Sequence, residues 1–119
     1  MGHVRVPILL RNPLQPDLAE ARSDATIDAG ATWTTVPRSL AERLELLSMG
    51  PVTGRTASGV VTLEQSFAEI QMEGKRGVGP IMISDELDTV LVGVLTLETL
   101  ALAVDPLNQR LVETELYLL

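Results

Sequence analysis

An acidic residue at the end of a short apolar run, two positions before a glycine, constrains this chain more than any other feature. The stretch is Ile27-Asp28-Ala29-Gly30-Ala31-Thr32-Trp33-Thr34, preceded by Ala25-Thr26. Ala25-Thr26-Ile27 reads as the end of a strand. Gly30 permits a tight turn and the close approach of another backbone, so the carboxylate of Asp28 is delivered to a strand end, where catalytic groups often sit. In isolation, an aspartate before a glycine is more often a turn residue or a helix cap. The rest of the chain decides between the two readings.

The raw material for several kinds of chemistry is missing. With no cysteine there is no disulfide framework, thiolate nucleophile or cysteine-based zinc site. The single histidine, His3, leaves nothing for a Ser-His-Asp arrangement or a multi-histidine metal site. A net charge of −7 without a basic cluster opposes a nucleic-acid partner. No window approaches the ~20 apolar residues of a membrane span, and no basic-then-apolar leader opens the chain, so a soluble, unexported, cytoplasmic protein is expected. At 119 residues the chain is read as one domain, residues 1–119, too short for two catalytic lobes. Aromatics are only 3%, so the core must be built from Val, Leu, Ile, Met and Ala.

Val4, Val6, Ile8 and Leu10 alternate with period two and predict a first strand, with Pro7 marking an edge or first-strand position. Asn12 to Asp17 is a loop by its turn chemistry. Leu18 to Arg22 fits either a strand approach or a short helical turn. Pro37, the Ser39/Glu42 spacing of a capping box and Leu40, Leu44 and Leu47 predict a helix of roughly two to three turns ending before Gly50-Pro51. A hairpin follows, from Val52 to Leu63 with Ala57-Ser58-Gly59 at its tip. Strands Phe67–Met72 and Val78–Ile83 flank a turn at Gly74 to Gly77. Thr89 to Gly93 is a buried-type strand ending in glycine, and Leu95 to Leu102 a second short helix with Leu97 and Leu100 facing inward. A final hairpin turns through Pro106-Leu107-Asn108, leaving Glu113 to Leu119 as an apolar terminal strand.

Strand, glycine, helix thus occurs twice, once with Asp28 and once without. Asp28-Ala29-Gly30-Ala31, the downstream proline and helix, the glycine-tipped hairpin and Leu91-Val92-Gly93 about sixty residues after Gly30 together resemble the retropepsin-like aspartic proteases. In that family the motif is Asp-Thr/Ser-Gly, and Ala29 departs from it. The resemblance implies a mostly β fold, a small closed barrel of the acid-protease type with two short helices. It implies Asp28 as the catalytic residue, with Gly30, Ala57, Ser58 and Gly59 binding substrate and Ala29, Leu91, Val92 and Gly93 supporting the site. It also implies an extended peptide as substrate, with neither metal nor cofactor.

The chemistry agrees with that expectation. Hydrolysis without metal or covalent nucleophile needs one carboxylate to take a proton from water and a second, protonated, to polarise the carbonyl and donate to the leaving amine. Two such groups share one proton and titrate as a unit. One Asp28 per chain is half of the pair, so a symmetric homodimer is expected, with its two-fold axis between two copies. The alternative is a weak or inactive relative serving as a peptide-binding or dimerisation module, and Ala29 is the residue that favours it. Other marked residues have plainer readings: Gly59 a hairpin turn, Trp33 core or interface. Asp85, Glu86 and Asp88 form a solvated loop, a cation site being the lesser reading.

Overall fold

Alternation of buried and exposed residues organises the first strand, β1 (Val4–Arg11), whose Val4, Val6, Ile8 and Leu10 all turn inward. The computed structural model describes residues 4–115; His3 and the end of the expected terminal strand lie outside them. The remaining elements are β2 (Ala21–Ile27), β3 (Thr34–Pro37), α1 (Arg38–Arg43), β4 (Pro51–Thr56) and β5 (Gly59–Met72). They are followed by β6 (Lys75–Ser84), β7 (Val90–Val92), α2 (Val94–Thr99), β8 (Leu102–Asp105) and β9 (Arg110–Glu113).

One seven-stranded sheet has the order β1-β2-β7-β3-β6-β5-β4 and closes on itself through β1 and β5. Six strands therefore form a barrel, and β4 is bonded only to β5, so the β4–β5 hairpin extends from it. The seam runs over Leu9–Arg11 against Glu69–Gln71, where Arg11 donates to Glu69 and Gln71 and pairs with Glu20. Pro7 lies outside this seam, where β1 is bonded along one flank only. β8 and β9 make a separate two-stranded sheet. The fold is mostly β, a small closed barrel with two short helices. Among the described residues, the buried cluster that forms its hydrophobic core is made of Val, Leu, Ile, Met and Ala. No helix among the described residues is long and apolar enough to cross a membrane.

Several expected elements differ in extent. The segment before β2 is not helical; a turn at Gln15–Leu18 leads into strand at Ala21. Helix α1 has six residues rather than two to three turns. Pro37 occupies the N-cap, so Ser39 is already inside the helix and no side chain caps it. The helix stops at Leu44 because Glu45 takes a left-handed φ of 52°. The Leu46 amide then bonds the Ala41 carbonyl and the Glu45 amide the Glu42 carbonyl, a Schellman arrangement. Buried Asn12 completes the cap, its Nδ2 donating at 2.9 Å to the carbonyls of both Leu44 and Glu45. Leu44 is buried, but Leu47 lies beyond the helix and is exposed.

The expected break between Leu63 and Phe67 does not occur. β5 runs unbroken for 14 residues, pairing with β4 up to Glu64 and with β6 from Glu64 onward. The following turn is only Glu73-Gly74, both with positive φ, as a two-residue type I′ turn requires.

Arg38, the first residue of α1, ties three elements together. Its Nη1 is 2.6 Å from Glu64 at the changeover point of β5, and its Nε and Nη2 hold Asp85, just after β6, at 2.8 and 3.3 Å. Arg38 holds the Asp85 carboxyl below its ordinary range, and the Ser48 hydroxyl, with Arg38, does the same for Glu64. Groups with depressed folded-state pKa add stability above their unfolded pKa and lose it as pH falls through the folded value. The stability difference between wild type and Arg38→Ala should therefore be full at neutral pH and shrink below about pH 4, where both carboxylates protonate. Urea unfolding of the two proteins from pH 7 to pH 2 checks this; a difference that does not change with pH would remove the ion pairs as its source.

Candidate active site

Asp28 follows the last residue of β2, where the parallel pair β2–β7 ends at Ile27 opposite Val92. The Asp28 amide donates to the Val92 carbonyl at 2.9 Å, extending that pairing by one bond. The Ala31 amide then donates to the Asp28 carbonyl at 3.1 Å, which closes the turn. The Gly30 amide donates to Asp28 Oδ1 at 2.9 Å and fixes the half-buried carboxylate. Gly30 has no positive φ; its requirement is space, since a Cβ there would lie 3.2 Å from Asp28 Oδ1. Gly30 thus sits within the turn and also stands against the carboxylate itself.

The loop continues across the start of α2. Val94 donates to the Ala31 carbonyl at 2.8 Å and Leu95 to the Thr32 carbonyl at 3.0 Å. Between these contacts sits Gly93, the N-cap of α2. A Cβ at Gly93 would lie 2.6 Å from the Trp33 carbonyl oxygen and 2.8 Å from the Thr32 carbonyl carbon, both fixed backbone. Only glycine lets the two segments pass. Behind the crossing, the Gly93 amide donates to Thr34 Oγ1 at 3.0 Å, and Thr34 Oγ1 lies 2.5 Å from Thr96 Oγ1. Both threonines are buried. Sequence reading passed over this pair because its members stand 62 residues apart.

The structure thus brings Leu91, Val92 and Gly93 against the Asp28 loop. Ala29 and Gly30 are exposed in the single chain. Ala57, Ser58 and Gly59 lie apart at the end of the projecting hairpin, where no hydrogen bond among the described residues joins them to Asp28. The tip itself is Ala57-Ser58, and Gly59 begins β5 with φ of 127°. Thr56 Oγ1 accepts from the Ser58 amide and donates to the Gly59 carbonyl, so the turn is held locally while every residue from Arg55 to Val60 is exposed. Trp33 is 44% exposed, which removes it from the core. Residues 85 to 89 form an exposed loop, and no group of three or more metal-ligating side chains occurs among the described residues.

This architecture has known counterparts. EIAV protease complexed with the inhibitor HBY-793 matches with a TM-score of 0.62 and 14% identity, over 82% of this chain and 86% of that one. The foamy viral protease–reverse transcriptase in complex with an RNA/DNA hybrid matches with a TM-score of 0.59 and 14% identity, over 80% of this chain. The match spans only 11% of that longer protein. The chain therefore has a retropepsin-like fold, a likeness of backbone at low identity. No family profile matches the sequence, and no curated protein does.

The clearance at Gly93 gives a direct test of how the two segments are held. Gly93→Ala should cost on the order of 1–3 kcal/mol through overpacking against immobile backbone. That would lower the melting temperature by roughly 5–15 °C. Gly79→Ala should be tolerated, because its Cβ would meet the Thr99 side chain at 3.6 and 4.0 Å, ordinary contacts. Thermal unfolding of both variants separates the cases; equal melting temperatures would mean the crossing can open without cost.

Proposed function

We propose that the chain is an aspartic endopeptidase acting as a symmetric homodimer, in which each protomer contributes one Asp28 to a shared pair. The reading is carried by one observation: in a retropepsin-like fold, the chain places a single carboxylate at a strand end and fixes it with the Gly30 amide. One carboxylate of the pair takes the proton from water and the other, protonated, polarises the peptide carbonyl and then donates to the amine. The β4–β5 hairpin is the flap, whose Ala57-Ser58-Gly59 tip closes over an extended peptide and offers backbone hydrogen bonds. Leu91, Val92 and Gly93 support the Asp28 loop. The substrate is a peptide or protein in extended conformation, and the proposed compartment is the cytoplasm.

Asp28→Asn should abolish peptide cleavage with fold and dimer intact, because the amide is nearly isosteric yet cannot act as a base. Turnover by the purified variant equal to wild type would assign the chemistry elsewhere.

A second reading, a peptide-binding or dimerisation module with little or no activity, is favoured by Ala29. In the resembled family the Thr or Ser hydroxyl here bonds across the dimer beneath the two aspartates. A methyl group cannot, and backbone partners left without it cost ~1–3 kcal/mol. Activity is accordingly weak and the dimer loose. Ala29→Thr should strengthen association by roughly one to two orders of magnitude, taking 1.4 kcal/mol per tenfold, and raise turnover with it. Sedimentation and turnover of the two proteins side by side check this. If threonine improves neither, the binding-module reading takes precedence.

A further inference from the structure

We infer that Thr34 and Thr96 form an intrachain hydroxyl lock that positions Asp28, an inference that rests on the aspartic-protease reading of the site. Asp28 is not braced by its own loop alone. The segment carrying it is bound to the Val92–Thr96 segment through the bonds from Asp28 to Val92, from Val94 to Ala31 and from Leu95 to Thr32. All three pass the point where Gly93 meets Trp33 with no room for a side chain. Directly behind that point the Gly93 amide is buried, and its acceptor is the Thr34 hydroxyl.

Thr34 is fully buried and is the first residue of β3, so its position is fixed from two sides. β3 lies parallel to β6, with Thr34 opposite Ile81, and touches β7 through Thr35 and Leu91. Thr96, on α2, reaches back to the same hydroxyl. The hydroxyl of Thr34 therefore joins the strand after the Asp28 loop to both the N-cap and the body of α2. Any opening of this junction lengthens the bonds that set the Asp28 backbone, because a buried amide without an acceptor must seek another. Thr34 is a positioning residue in this scheme: it acts through Gly93 and the Ala31–Leu95 contacts and does not touch the reacting atoms. It supplies from within one chain a hydroxyl support that Ala29 cannot supply between chains.

The test compares Thr34→Val, nearly isosteric but without the hydroxyl, with Thr34→Ser, which keeps it, and with Thr96→Val, which leaves the Thr34–Gly93 bond in place. Three quantities are read on the full chain: peptide turnover, amide hydrogen exchange, and the titration of the Asp28 carboxyl carbon by nuclear magnetic resonance. In Thr34→Val, kcat should fall roughly ten- to hundred-fold with KM within about two-fold, since misplacement of a reacting group acts on the chemical step. The Gly93, Val94 and Leu95 amides should exchange faster while those of β1 and β6 do not, and the Asp28 titration should move. Thr34→Ser should restore all three, and Thr96→Val should show a smaller change in the same direction. A folded Thr34→Val with wild-type kcat and unchanged Asp28 titration would overturn the lock, even if its stability is lower. Should Thr34→Val fail to fold, Thr96→Val decides, and an unmoved Asp28 titration there overturns the inference. Wild-type protein without Asp28-dependent turnover would instead defeat the protease reading, while exchange and titration would still decide the lock.

Discussion

The passage of two backbone segments at Gly93 is the constraint on which the rest of the molecule depends. Backbone atoms of residues 32 and 33 lie within 2.8 Å of where a Cβ at Gly93 would be, closer than Cβ atoms stand to backbone. That approach lets β7, only three residues long, sit between β2 and β3, parallel to one and antiparallel to the other. Without β7 the six-stranded barrel is open between β2 and β3, and its first two strands meet the rest only at the β1–β5 seam. The same approach brings the amides of Val94 and Leu95 to the carbonyls of Ala31 and Thr32. Barrel closure and presentation of Asp28 are thus consequences of one missing side chain.

The two halves of the chain share a plan and differ where function enters. Each carries a six-residue helix, one beginning after Pro37 and the other after Gly93. Each helix ends on a residue with left-handed φ that is not glycine, Glu45 at 52° and Ala101 at 54°. Such a residue adds strain that its surroundings must offset. For Glu45 the offset is visible in Asn12, whose amide reaches the carbonyls of Leu44 and Glu45, just past the end of α1, from the loop after β1. Between strand and helix, the first half inserts the Asp28 loop and β3, whereas the second passes directly from β7 into α2 through Gly93. The short second connection lies against the first and holds it.

Features set by local periodicity were legible in the sequence. β1 has one face in the core, so Val4, Val6, Ile8 and Leu10 announce it. Leu97 and Leu100 mark the inner face of α2 for the same reason. Features set by a distant partner were not. The continuation of β5 through Glu64–Ser66 depends on its change of partner from β4 to β6, which no local pattern encodes. The end of α1 depends on Asn12, more than thirty residues away in sequence. Leu47 continued the helical spacing after the helix had stopped, and the Ser39/Glu42 spacing fitted a cap that Pro37 already occupied. Gly30 and Gly93 were legible as glycines in the right places, but the physical need for each is a neighbour: a carboxylate oxygen for one, a crossing backbone for the other.

Ala29 and Thr34 stand five positions apart in sequence and in opposite environments. Ala29 is exposed in the single chain, and in the proposed dimer a hydroxyl there would bond to the second copy. Thr34 is wholly buried, and its partners Gly93 and Thr96 belong to its own chain. An exposed support contributes only when the partner arrives, and its loss is felt as weaker association; a buried one is already present in each protomer before association. In a dimeric enzyme of the proposed kind, the geometry of each carboxylate can then be set before the two meet. The interface retains the task of bringing one Asp28 near the other, close enough that they share a proton. A chain that lacks the hydroxyl at position 29 but keeps the buried pair therefore separates two requirements, alignment within a protomer and cohesion between protomers, and places the first under the control of residues that substrate and solvent do not reach.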